Sequence, residues 1–320
     1  MSKEYRSSLA VHFSGLVATK RAAGYTYQTA EDHLHDFDRF CCRRGASSSL
    51  SREVVLEWVA ERKGEGPKAR RRRMSTIREL GRYMQSIGAS DAFVLPSGLS
   101  PKIARYMPHF LTDEEISAFF AACDRFLPHQ TARARHLVLP ALFRLLYCCG
   151  LRVGEARTLR VEQVDLHGGH IDILQAKGCR SRRLPLSDEL LHLLKVYDEA
   201  VAAIYPRRIY FFPRNRSTCY SPCQLDSIFR SVWKAAGLEV QEGKRARLYD
   251  VRHHFAFANL NRWIAAGKDP NVLLPYLSRY MGHAGMESTD YYLHLVPAFF
   301  HTFRDEVKST ETLLPEPDYE

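Results

Sequence analysis

The sequence predicts a mainly helical protein with one small β-sheet, divided into two domains. Three observations carry that expectation. Met74, Ile77, Leu80, Met84 and Ile87 recur at the three- and four-residue spacing of one helix face. His170-Ile171-Asp172-Ile173-Leu174 alternates with period two instead, and Lys177-Gly178 followed by Arg183-Leu184-Pro185-Leu186 supplies a turn and a returning strand. Between these regions, Phe93-Val94-Leu95-Pro96-Ser97-Gly98-Leu99-Ser100-Pro101 is rich in turn residues and lacks helical period, which sets a domain boundary near residue 105.

Residues 1–105 are expected to be helical and basic. The apolar stripe from Met74 stops at Gly88, and Lys68-Ala69-Arg70-Arg71-Arg72-Arg73 precedes it. Residues 1–108 hold 19 Lys+Arg against 11 Asp+Glu, a net of +8, so most of the chain's +10 lies in its first third. The second domain, residues 106–308, restarts at Leu111, where Thr112 and Glu115 form a capping box before an apolar helix. His136 to Cys149 reads as a buried helix stopped by Gly150, with a kink expected at Pro140. After the predicted hairpin, Ser187-Asp188-Glu189 caps the next helix. Tyr205 to Pro213 is an aromatic, Pro-bounded segment with no clear period. Helices are expected again over Cys223 to Ala236 and around residues 250–265, and residues 309–320 are expected to be a disordered tail.

Composition narrows the function classes. With 320 residues the chain has room for two ordinary domains. A net charge of +10 and a pI near 9.2 favour a polyanionic partner. No apolar run is long enough to span a bilayer, and the opening residues lack a signal-peptide pattern, so no membrane partner and a reducing cytoplasm are expected. The eight cysteines then read as free thiols. Cys219 and Cys223 lack a second pair, so no zinc or other metal is expected. No glycine-rich phosphate loop is present, which removes nucleotide hydrolysis and leaves no expected cofactor.

Five boxes carry the chemistry. They are Gly150-Leu151-Arg152-Val153-Gly154-Glu155, Lys177-Gly178-Cys179-Arg180-Ser181-Arg182, Tyr249-Asp250-Val251-Arg252-His253-His254, Gly282-His283, and Tyr292-Leu293-His294. Their order over roughly residues 110–305 resembles the tyrosine recombinase, or phage integrase, family. The resemblance implies an N-terminal helical core-binding domain of SAM-like type and an integrase-type catalytic domain, a two-domain layout similar to that of Cre and Xer recombinases. It also implies a site-specific recombinase that cuts and rejoins DNA through a 3′-phosphotyrosine, in integration, excision or resolution.

The residue types suit that chemistry. A phosphoryl group gains charge as it is attacked, and fixed donors around it are a large catalytic effect. Arginine offers a planar fork that matches two phosphate oxygens. By resemblance, Arg152 and Arg252 are the paired arginines, Glu155 orients Arg152, and Lys177 protonates the leaving 5′-oxygen. His283 then donates to a non-bridging oxygen and His253 packs inward as a supporting residue; His254 is read as a surface residue. Tyr249 departs from the family, which usually has His there. A phenol with an ordinary pKa near 10 is no base at neutral pH, but it still donates a hydrogen bond. The nucleophile is Tyr292, nine residues after His283, and adjacent Tyr291 is read as a core neighbour because neighbours on a helix point about 100° apart.

Lys68, Arg70, Arg71, Arg72, Arg73, Arg180 and Arg182 are expected to contact DNA phosphates. The partners implied are double-stranded DNA with a specific recombination site and three further copies of the chain, a homotetramer on DNA, with room for sister recombinases or accessory proteins. A cytoplasmic, nucleoid-associated location follows. Two rivals stand beside this reading: a type IB topoisomerase that relaxes DNA without exchanging partners, and a DNA-binding protein that does not cut.

Overall fold

In the computed structural model, which describes residues 4–45, 49–103, 106–174, 181–238, 246–283, 285 and 289, the chain divides between Tyr106 and Met107 into two units. The first holds α1 (Ala10–Ala22), α2 (Gln28–Arg44), α3 (Arg52–Val59) and α4 (Pro67–Ser86). Helix α4 starts where Gly66 is followed by Pro67, whose missing N–H costs nothing at a first turn. Met74, Ile77, Leu80 and Met84 are buried with Phe13, Leu34, Phe37 and Trp58. Ile87 leaves the expected stripe: it caps the helix and is exposed, because the helix ends at Ser86 and Gly88 turns with φ +102°.

The second unit is helical around a three-stranded sheet. Helix α5 (Asp113–Cys123) opens with the capping box, Glu115 N–H on Thr112 and Thr112 N–H on Glu115, a motif that contributes about 1 kcal/mol. Helix α6 (Arg135–Cys149) is buried along most of its length and runs through Pro140. After α7 (Val153–Arg157) come β1 (Val164–Asp165), β2 (His170–Ile173) and β3 (Arg182–Pro185), antiparallel in the order β1-β2-β3 with Ile171 opposite Leu184. Helix α8 (Asp188–Ile204) is capped by Ser187. The aromatic segment that follows pairs Tyr210 with Arg160 and buries Phe211 and Phe212. Helices α9 (Pro222–Ala235), α10 (Asp250–Ala265) and α11 (Pro270–Met281) complete the described fold.

Phe119, Leu142, Leu146, Phe229 and Trp233 lie in one core with Ile171 and Leu184 of the sheet. A smaller cluster, Ala256, Leu260, Leu274, Leu277 and Met281, fastens α11 to α10. The sequence reading missed α11. Its start carries a legible sign, since Asp269 accepts the Asn271 N–H and Pro270 stands at the first helical position.

Candidate functional site

Two glycines set the site's frame. Helix α6 stops at Gly150 and α11 at Gly282, both in the left-handed region at φ +57° and +67°. Neither place has room for a side chain: a Cβ on Gly150 would strike the Phe255 ring, and one on Gly282 would lie 2.7 Å from Arg182 Nη1. Just past Gly150, Arg152 caps α7. Just past Gly282 stands His283.

The last carbonyls of a helix lack partners within it and carry its negative end. Three successive carbonyls at the end of α11 are each taken by a different arginine. Arg182 Nε donates to Tyr280 O at 2.7 Å, Arg252 Nη2 to Met281 O at 2.6 Å, and Arg152 Nη2 to Gly282 O at 2.6 Å. Arg252 also donates to Gly150 O at 2.6 Å, tying the two glycine turns together. Residues distant in sequence, 152, 182 and 252, are thereby gathered at one helix end.

Glu155 binds two of these arginines. It accepts from Arg152 Nη1 at 2.8 Å and from Arg182 Nη1 and Nη2 at 3.1 and 2.8 Å, and it takes the Arg152 N–H as well. Burial pushes its carboxyl up, yet the Arg182 and Arg152 bonds outweigh burial and hold it below the usual carboxylate range. The Arg152–Glu155 contact is therefore more than a surface (i, i+3) pair, since the same largely buried carboxylate also holds Arg182. Three guanidiniums and one carboxylate leave two positive charges in excess, which suits an anion.

His283 is buried, and its pKa is pushed down to about 4 by burial and by Arg252, Arg152 and Arg182, so it is neutral at pH 7. Its Nδ1 lies 2.7 Å from the hydroxyl of the buried Thr289. A hydroxyl donating to Nδ1 leaves the ring hydrogen on Nε2, the form that donates to a ligand oxygen. Thr289 was missed in the sequence, where it is one hydroxyl among several between Gly282 and Tyr292.

At the start of α10, Tyr249 is 47 % exposed and meets the half-buried His253 edge to face at 5.0 Å. Burial and Arg252 push His253 down to about 4. His254 is not on the surface as expected: the helix turns it inward, where it stacks on Tyr147 at 5.6 Å.

The basic arm divides. Lys68, Arg71 and Arg72 are exposed on α4. Arg70 is half-buried and donates to Val59 O and Glu61. Arg73 is no phosphate contact. It is buried, bonded to Glu65 at 2.8 and 2.5 Å, to Ala60 O and to Trp58 O, with its guanidinium 4.7 Å from the Trp58 ring centre. Arg182, also expected at a phosphate, is bonded within the protein to Glu155 and Tyr280 O. Lys177, Arg180, Tyr291 and Tyr292 lie outside the described residues. Among those described, no group of three or more His, Cys, Asp or Glu is placed to hold a metal.

The chain matches known proteins. The model of the phage integrase family matches residues 109–298. The tyrosine recombinase XerD of Rhizobium meliloti is 26 % identical over 292 residues, covering 89 % of each chain. A XerH recombinase bound to a palindromic difH substrate superposes with a TM-score of 0.62 at 19 % identity, over 90 % of this chain and 80 % of that one. The Tn1549 transposon integrase with transposon right-end DNA gives 0.62 at 15 % identity, over 93 % and 98 %.

Proposed function

This chain belongs to the phage integrase family, and from that premise we propose that it is a site-specific recombinase that cuts and rejoins duplex DNA through a 3′-phosphotyrosine. The convergence of Arg152, Arg252 and His283 on the end of α11 carries this reading. Such a cluster, positive and rich in donors, fits a phosphoryl group gaining charge.

In the proposed reaction the Tyr292 phenol gives its proton to solvent as its oxygen attacks phosphorus in line and the bond to the 5′-oxygen breaks. Lys177 passes a proton to that oxygen, so a 5′-hydroxyl leaves. A 5′-hydroxyl of another strand reverses the step and frees the tyrosine. Arg152 and Arg252 supply guanidinium charge, His283 a hydrogen bond from Nε2, and the exposed Tyr249 hydroxyl another. A bound phosphate also raises the pKa of His283, because its negative charge opposes the three arginines.

A homotetramer on two DNA sites is the proposed assembly, with DNA as the direct partner. The XerH and transposon integrase structures hold DNA substrates, which supports a DNA partner here. No helix among the described residues is long and apolar enough to cross a membrane. The decisive experiment offers a plasmid with two copies of the chain's recombination site and a supercoiled plasmid without them. Exchange between sites is expected; relaxation without exchange would instead make the chain a topoisomerase, and binding alone a non-cutting protein.

Tyr249→Phe is expected to slow single-turnover cleavage by about 10- to 100-fold, the loss of one bond to a charged group worth about 1.4–3 kcal/mol. A rate equal to wild type would remove the tyrosine from the site. Arg71→Gln with Arg72→Gln is expected to weaken binding to every DNA sequence and to flatten the log–log salt dependence by about 0.9 per lost phosphate contact. Arg73→Gln is expected to act differently, lowering the melting temperature of the chain, because it orphans Glu65 and two carbonyls. Binding titrations at several salt concentrations, beside thermal melts, separate these outcomes.

A further inference from the structure

Arg182 has no role in the reaction as set out, yet it is among the most fully engaged side chains near the site. All three guanidinium nitrogens donate within the protein: Nε to Tyr280 O, and Nη1 and Nη2 to the two oxygens of Glu155. The side chain is 8 % exposed. Its plane lies against the Gly282 turn so closely that a Cβ at Gly282 would sit 2.7 Å from Nη1. It stands at the start of β3, five residues after Lys177, on the strand face shared with the buried Leu184.

We propose that Arg182 is a positioning residue that clamps Glu155, and through it Arg152, and that braces the turn leading to His283. The proposal rests on the function proposed above. Glu155 Oε1 accepts from both Arg152 and Arg182, at 2.8 and 3.1 Å. Removing Arg182 leaves the carboxylate held by Arg152 alone, through its N–H and Nη1, and a second guanidinium no longer fixes the plane in which Arg152 lies. The Tyr280 carbonyl loses its donor in the same change, one residue before the carbonyl that holds Arg252. Misplacement by about 1 Å costs as much as about 10²-fold in rate, without any loss of a group that touches substrate.

Three variants of the full chain test this: Arg182→Gln, Arg182→Lys and Glu155→Gln, with the Gln-Gln double change. Each is given a nicked suicide duplex in a single turnover, and its DNA affinity is measured across salt concentrations. Arg182→Gln is expected to form covalent product about 10- to 100-fold more slowly, with affinity and salt slope unchanged. The double variant is expected to be no slower than the slower single one, since both act on one element. Arg182→Lys keeps the charge beside Glu155 and is expected to recover part of the rate. If Arg182→Gln does not fold, the Lys variant decides, a slower rate at unchanged slope supporting the role and a wild-type rate ending it. A salt slope lower by about 0.9 would make Arg182 a phosphate contact, and rate losses that multiply in the double variant would mean it does not act through Glu155; either overturns the proposal. Wild-type protein that gives no covalent product overturns the recombinase reading itself, a result distinct from a cutting wild type beside an unimpaired Arg182 variant.

Discussion

Tyr292→Phe will bind its DNA site as tightly as the unaltered chain and yield no covalent protein–DNA product. Only the phenolic oxygen is lost, and no other group is proposed to form the bond to phosphorus, so product should fall below detection on a nicked duplex that traps the intermediate. Tyr291→Phe is the necessary companion and is expected to keep cleaving. The assignment rests on spacing: Tyr292 lies nine positions after His283, whose place beside the arginines is set by the α11 terminus. A denaturing gel reads both variants. Product from Tyr292→Phe with none from Tyr291→Phe would move the nucleophile by one residue.

Arg252→Ala and Arg152→Ala are each expected to slow cleavage at least 10²-fold, the usual loss for one transition-state donor. They will differ in a second measurement. Arg252 is 2 % exposed and donates to Gly150 O and Met281 O, so its removal leaves two carbonyls without that donor at about 1–3 kcal/mol each. A clear drop in melting temperature should accompany its kinetic defect. Arg152 has a more exposed side chain, and Glu155 keeps Arg182 when Arg152 is gone, so its variant should melt close to wild type. Cleavage that survives both alanine changes would refute the clamp, and an Arg152→Ala protein that melts as early as Arg252→Ala would show the two to be equally structural.

Local signals in the sequence were read well because they are local. Thr112 with Glu115, Gly150 after an apolar run, and Ser187 before α8 each act within one helical turn. What failed was the assignment of a side chain to a face. Arg73 sits four residues before Ile77 and seven before Leu80, so the spacing that marks the core also marks Arg73 as inward, but its charge led to the opposite reading. Arg182 and Leu184 share a strand face in the same way, and period two aims both inward. The boxes themselves were legible from their order. Their anchorage was not, because its partners are main-chain oxygens 29 to 130 residues away from the arginines they hold.

That anchorage has a consequence for how such a chain can diverge. A carbonyl is present whatever amino acid occupies its position. Substitutions at Tyr280 and Met281 that suit the surrounding core therefore leave the acceptors for Arg182 and Arg252 in place. What cannot drift is the residue at which α11 stops, since moving the helix end by one position would offer each arginine the wrong oxygen. Lineages descended from this chain would then keep Gly282 and the three arginines while the helix before them is rewritten.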